Sequence, residues 1–232
     1  MPSMLTSRTL DLRSLDAGAA TARVLAAFDA LEPGGSVELV AGDDLRPLLE
    51  RLQGARSGEF EWSPLAEGPG LFRVELARRT TGTGTRSVTE ALAWDHDRLE
   101  KLEELAFEAR AARRFAEAAA SYAAFALGLR RHIGFEEDLL FPEFERRSLI
   151  SKGAGPTMVM RAEHRTIESL IAAIERAIGD PNADADTSRQ ELHEVLADHN
   201  VKEERILYPG TDRLMAGEER DDLVRRIQAY RR

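Results

Sequence analysis

The 232-residue sequence predicts an α+β chain of two domains. The first is a small β-α-β-α-β-β two-layer sandwich. The second is an all-α, up-down four-helix bundle with a short extra C-terminal helix. Three observations carry this reading. Up to about residue 80, short apolar runs are separated by turn residues; beyond it, long Ala/Leu/Glu/Arg stretches recur with helical period. A small, polar, Thr/Gly-rich stretch from Arg79 to Arg86 lies at the seam, as in a flexible linker. The helical half is also written twice, with one phrase of His, Glu and Pro repeated. The expected domains are therefore residues 1–80 and 87–232, joined by a linker at 81–86.

Each element has a local reason. Thr9 to Arg13 and Ser36 to Val40 alternate apolar and polar residues, as strands do. Between them, Ala19 to Leu31 has helical character and is stopped by Pro33-Gly34-Gly35. Leu45 to Leu52 reads as a second short helix. Phe60 to Trp62 and Leu71 to Leu76 read as a hairpin across a Gly/Pro turn. In the second half, Ser87-x-x-Glu90 is a capping-box signature opening a helix to about Arg113. A second helix is expected from about Phe115 to Glu145, with Pro142 and Pro209 ending or kinking their helices. A break at Ser151 to Pro156 precedes a third helix reaching about Ile178. Thr187 and Ser188 are expected to cap a fourth helix to about Leu207, and a charged helix from Gly217 closes the chain.

Composition excludes several classes of function. There is no cysteine, so disulfides, thiolate-ligated zinc, iron–sulfur clusters and thiol catalysis are ruled out. The formal net charge is −9, with −3 in residues 1–80 and −6 beyond, which argues against a nucleic-acid partner. No apolar run approaches the roughly 18 residues of a membrane span, and no signal-peptide core is present. The expected compartment is the cytoplasm. The Gly-Thr-Gly of the linker lacks the spacing of a phosphate loop.

The chemistry lies in the repeat. All five histidines fall in the helical half: His96, His132, His164, His193 and His199. The phrase from His132 to Pro142 aligns with that from His199 to Pro209 as H-x3-E-E-x-[LI]-L-[FY]-P. Asp95-His96-x-x-Leu99-Glu100 aligns with Glu163-His164-x-x-Ile167-Glu168. The spacing from His96 to His132 is 36 residues, and that from His164 to His199 is 35. On a helix, residues four apart lie ~40° apart and ~6 Å along the axis, so His132 shares a face with Glu136, and His199 with Glu203.

Apolar neighbours mark these faces as inward: Phe125, Leu129, Phe135 and Leu139 for the first pair; Leu192, Val195, Leu196 and Ile206 for the second. Gly128, one turn before His132, leaves room for a close neighbour. Met160, Ile167, Ile171 and Ile174 place His164 on a buried stripe; Val88, Leu92 and Leu99 do so for His96, nearer its edge. Four inward His and two inward Glu would be costly as an unpaired polar core, and a metal centre satisfies them together. Imidazole and carboxylate suit iron, manganese and zinc alike. Glu100 and Glu168 are expected on the polar shoulder, and Glu137 and Glu204 at the surface or an interface. His193 is expected at the surface or behind a ligand; Tyr122, Phe141 and Tyr208 are expected to pack.

These phrases resemble the haemerythrin-like HHE cation-binding domains over about residues 88–210. The resemblance implies a non-haem di-iron site, oxo- or hydroxo-bridged, in which His96, His132, His164 and His199 are terminal ligands and Glu136 and Glu203 bridge two iron ions. Oxygen-carrying haemerythrins have five histidines and an asymmetric pair of irons. The four well-placed ones here are closer to the iron–sulfur-repair and stress-response branch. The implied partners are O2, NO or peroxide. The implied roles are sensing or stress response, with a di-iron redox enzyme or iron storage and delivery for iron–sulfur repair as alternatives; whether the chain is an enzyme stays open. The order and spacing of residues 8–80 resemble the sulfur-carrier TusA-like fold and relatives fused to haemerythrin-like domains. Those carriers work through a cysteine near the first helix; without one, persulfide transfer is excluded and a regulatory or docking role, with a protein partner, remains.

Overall fold

The computed structural model describes residues 8–56, 58–79, 86–150, 154–215 and 217–230. The chain separates into two compact units, Met1–Thr85 and Arg86–Arg232. Of the expected linker at 81–86, only Arg86 falls within the described residues.

The first unit follows the order β1 (Arg8–Asp11), α1 (Ala17–Asp29), β2 (Ser36–Ala41), α2 (Arg46–Ala55), β3 (Phe60–Gly68) and β4 (Leu71–Arg78). Its four-stranded sheet runs β1-β2-β4-β3. β1 and β2 are parallel, which requires a crossover, and α1 supplies it. β4 pairs antiparallel with both β2 and β3. Gly70, at φ 76°, makes the turn between β3 and β4, a left-handed conformation that favours glycine. A register shift between Pro64 and Ala66 accommodates the proline, which cannot donate to the ladder. Asp16 caps α1 by accepting from the backbone of Gly18 and Ala19. Val24 and Phe28 of α1, with Leu49 and Leu52 of α2, bury against Leu39, Phe60 and Leu76 of the sheet. The two-layer sandwich read from the sequence is present.

The second unit has four long helical arms: α3 (Val88–Ala111), α4 (Phe115–Phe135), α6 (Pro156–Ala177) and α7 (Asp186–Lys202). Short helices α5 (Phe141–Ser148), α8 (Tyr208–Leu214) and α9 (Glu218–Gln228) complete it. The capping box forms as read: the Ser87 hydroxyl accepts from the Glu90 amide, and Glu90 accepts from the Ser87 amide. Asp212 accepts from the amides of Val88 and Thr89, tying the start of α3 to the end of α8. At α7 the cap differs from the expectation. Asp184 accepts from the amides of Asp186 and Thr187 and from the Thr187 hydroxyl, so the aspartate, not Thr187 or Ser188, satisfies the free amides.

The second arm runs through Pro142 to Ser148, close to the expected end near Glu145, whereas the fourth continues past the expected Leu207 to Leu214. α4 continues through a π turn, Glu136–Leu140, into α5, and α7 continues through a second π turn, Glu203–Leu207, into α8. Each π turn starts on a Glu of the repeated phrase and ends just before its Phe/Tyr-Pro pair. In an uninterrupted α-helix each proline ring would meet the carbonyl four residues back; the π turns lie where that conflict falls. The core between the arms is built from Phe125, Leu129, Ile167, Ile171, Ile174 and Leu192, among others. Gly128 makes the closest approach. A Cβ there would lie 2.7 Å from Leu99 Cδ2 and 2.9 Å from an Arg98 guanidinium nitrogen. Among the described residues no helix is long and apolar enough to cross a membrane.

Candidate metal centre

The repeat brings all six residues singled out by the sequence into one buried cluster. His132, His164 and His199 are at most 3% exposed, His96 9%, and Glu136 and Glu203 fully buried. Ligating atoms of Glu136, His164, His199 and Glu203 lie within 4.8 Å of one another; those of His96, His132 and Glu203 form a second such group sharing Glu203. His164 Nε2 is 3.3 Å from Glu136 Oε2, and His199 Nε2 is 3.0 Å from Glu203 Oε1. On the other side, His96 Nε2 is 3.4 Å from Glu203 Oε2, and His132 Nε2 is 3.6 Å from Glu136 Oε1. Each carboxylate therefore turns one oxygen towards each pair of imidazoles.

The outer nitrogens are equally ordered. His132 Nδ1 is 2.9 Å from Asp95 Oδ2, and His199 Nδ1 is 2.9 Å from Glu163 Oε2. His96 Nδ1 is 2.7 Å from Glu204 Oε1, and His164 Nδ1 is 2.9 Å from Glu137 Oε1. The pattern is two-fold. The acid preceding the first His of each half holds the second His of that half; the acid following Glu136 or Glu203 holds the first His of the opposite half. Glu137 and Glu204 are partly exposed, as expected, but each also holds a histidine of the centre, a role the sequence did not reveal. The outer acids are held in turn: Arg98 donates to Asp95 Oδ1 at 2.9 Å, and Lys202 donates to Glu163.

Tyr208 corrects the expectation. It was expected to pack, yet its hydroxyl donates to Glu136 Oε1 at 2.7 Å and lies 2.9 Å from Glu203 Oε2. The same oxygen is 3.3 Å from Nε2 of both His96 and His132. Its counterpart Phe141 does pack, stacked on the His164 ring with centroids 5.6 Å apart. The two halves thus differ at one chemically important position. The second π turn explains the reach of Tyr208: i→i+5 spacing sets the residue five after Glu203 back over it. The same phase change turns Ile206, expected inward, out to 57% exposure. The remaining residues lie outside the cluster. Glu100 is exposed, Glu168 pairs with Arg130, and Tyr122 is buried against Phe107 and Phe125. His193 is exposed, 3.2 Å from Glu103.

Electrostatics follow from burial opposed by close charge. Burial disfavours the charged form of His96, but Glu203 and Glu204 outweigh it and raise its pKa to about 10. Burial likewise opposes His164, while Glu136 and Glu137 raise it to about 9. His132 and His199 are also raised. Burial would raise Glu136, but His132 and His164 hold it well below the usual range. Glu203 is lowered too, against burial and the adjacent Glu136 charge, by His199 and His96. Burial, with Glu136 and Glu203 beside it, pushes the Tyr208 phenol well up and keeps it a proton donor.

The donor set fits a pair of bound cations. Glu136 Oε2, Glu203 Oε1 and His164 Nε2 are buried without a hydrogen-bond partner, although they face oppositely charged or lone-pair-bearing groups. Orphaned buried atoms of this kind are costly, and a shared cation satisfies them. Fixing each Nδ1–H on a carboxylate leaves each Nε2 lone pair aimed inward, the tautomer and orientation that metal-binding histidines require.

Fold and site together define a metal-binding four-helix bundle. A family model described as the hemerythrin HHE cation binding domain matches residues 87–210, over half of the chain, and the chain belongs to that family. Residues 9–78 match the model of an uncharacterized conserved protein family, DUF2249. No curated protein and no solved structure matches the chain.

Proposed function

We propose that the bundle holds a non-haem di-iron centre that binds O2, NO or a related small oxidant, in sensing or stress response. The observation that supports this most is the convergence of four inward Nε2 atoms and two shared carboxylates, each Nδ1 being held by its own acid. In this reading His96, His132, His164, His199, Glu136 and Glu203 are the residues that would hold the two metals. So few protein donors would leave each metal able to take up an exogenous ligand. Iron bound there would supply electrons to a diatomic gas or peroxide. The chain's own part is to hold the ligands in place and keep a proton on Tyr208 Oη beside the shared carboxylates.

Residues 1–80 are taken in this proposal as a separate domain, joined through 81–86 and reporting the state of the centre to a protein partner. A second reading, a di-iron enzyme consuming NO or peroxide, is favoured by a cavity that opens onto the centre. The separating experiment exposes reduced, iron-loaded protein to O2, NO or hydrogen peroxide and follows absorption and gas or peroxide consumption. Stoichiometric spectral change without sustained turnover is the outcome for a sensor; continuous consumption with a reductant is the outcome for the enzyme. Iron-loaded protein unresponsive to all three would overturn both.

A further inference from the structure

The centre lies at one end of a cavity of about 330 Å3 that opens between α3 and α7. It runs from His96 past Leu99 to Glu103, seven residues or about 10 Å along the helix axis, so two metal ions would occupy only its inner end. Between its polar ends the wall is formed by Leu99, Phe125, Leu129, Ile133 and Ile167, all buried, with Leu196 nearer the surface and the polar Glu103 and Asn200 beside them. Its inner end is formed by His96, His132, His199 and Glu203. At the mouth are the carboxylates of Asp97, Glu100 and Glu204, with Ala197 and His193 opposite on α7.

Size and lining select a ligand class. A diatomic gas is of the same order of size as a water molecule, whose share of the liquid is roughly 30 Å3, whereas an apolar cavity of roughly 150 Å3 already takes up benzene. This cavity is about twice that. Branched and aromatic walls favour an apolar body. The acidic mouth, with Glu103 already neutralised by Arg189, disfavours an anion. The small Ala197 side chain at the rim leaves the entry open.

We propose that the cavity is a binding site for an uncharged organic molecule with an apolar body of about one aromatic ring and a small polar end, which it presents to the inner face of His96, His132, His199 and Glu203. The site goes beyond the gas-binding reading and stands on the cavity alone.

The test uses the full chain, metal-loaded, with metal per chain assayed in every sample. Calorimetry measures binding of benzyl alcohol and of benzenesulfonate, the same ring with a fixed negative charge. The proteins compared are the unaltered one and Ala197→Trp, which sets an indole over the mouth while leaving the walls untouched. The expected result is saturable binding of one benzyl alcohol per chain. Benzenesulfonate should bind at least tenfold more weakly, and Ala197→Trp should weaken benzyl alcohol at least tenfold at unchanged metal content and helical circular dichroism. Absence of saturable benzyl alcohol binding, equal binding of the sulfonate, or indifference to Ala197→Trp would overturn the proposal. Mouth-dependent binding in protein that holds no iron would support the cavity while refuting the di-iron reading.

Discussion

Asp95→Asn probes the layer of acids behind the imidazoles at its most buried point. Asp95 is 5% exposed and uses both oxygens: Oδ2 takes the Nδ1–H of His132 at 2.9 Å, and Oδ1 takes the Arg98 guanidinium at 2.9 Å. Burial alone would raise its pKa, but Arg98 and His132 hold it far below the ordinary aspartate range, so it is ionised at every working pH. The amide removes that charge with little change in shape. Two consequences follow. Arg98, itself 5% exposed, is left as an uncompensated buried cation, a change that costs about 3–5 kcal/mol in comparable pairs. His132 loses the acceptor that fixes its tautomer, which lowers metal affinity about 10–100-fold. Urea unfolding of the metal-free chain measures the first effect, and competition with a chelator measures the second. Glu204→Gln is the internal comparison: its side chain is 41% exposed, so water screens the loss, and stability should change by less than about 1 kcal/mol while metal affinity still falls. A stability loss for Asp95→Asn below about 1 kcal/mol, or metal affinity within threefold of the unaltered chain, would refute the reasoning.

Four further outcomes are expected. Tyr208→Phe removes the donor shared by Glu136 and Glu203 and makes the two halves alike; metal should still bind, and a metal spectrum with two inequivalent sites should become more symmetric. In the metal-free chain, His96 and His164 are raised to about 10 and 9, above their unfolded value of about 6.5. Their contribution to stability is complete below about pH 6.5 and is lost as pH rises through 9 to 10. Thermal scans between pH 7 and 10 should therefore show the metal-free chain weakening, while metal affinity increases because protons no longer compete. Gly128→Ala places a methyl against Leu99 and Arg98 and should cost about 1–3 kcal/mol by overpacking, read from unfolding midpoints. His193→Ala, at a half-exposed side chain outside the cluster, should leave metal per chain unchanged.

The six central residues were legible because two independent signals agreed. Four-residue spacing set His132 over Glu136 and His199 over Glu203, and large apolar neighbours marked those faces as inward. The strands of the first unit were legible from alternation and turn residues, but the sheet order β1-β2-β4-β3 was not, since alternation fixes a strand's faces and not its neighbours. The contacts that Asp95, Glu137, Glu163 and Glu204 make with the histidines were not legible for a different reason. Projected on a regular helix, a residue adjacent to a ligand turns ~100° away, and each of these acids reaches a histidine on another helix. The repeat did carry a signal: the acid before each first His and the second Glu of each pair recur in both halves. Tyr208 was hidden by the π turn, which shifts the phase after Glu203, and the same shift exposed Ile206. Each proline is expected to end or kink its helix; the chain runs on through both, after a π turn, and only the fourth arm extends well beyond its expected end.

The central claim is that four histidines and two glutamates hold two metal ions. The most direct measurement is metal per chain by elemental analysis on protein from iron-supplied cells, for the unaltered chain, His132→Ala and Glu203→Ala. The account predicts two irons per chain in the first, and lower content with lower thermal stability in both variants, because metal binding and folding are coupled. Two metals per chain retained in either variant would contradict the ligand assignment, and an unaltered chain holding no metal would contradict the claim itself.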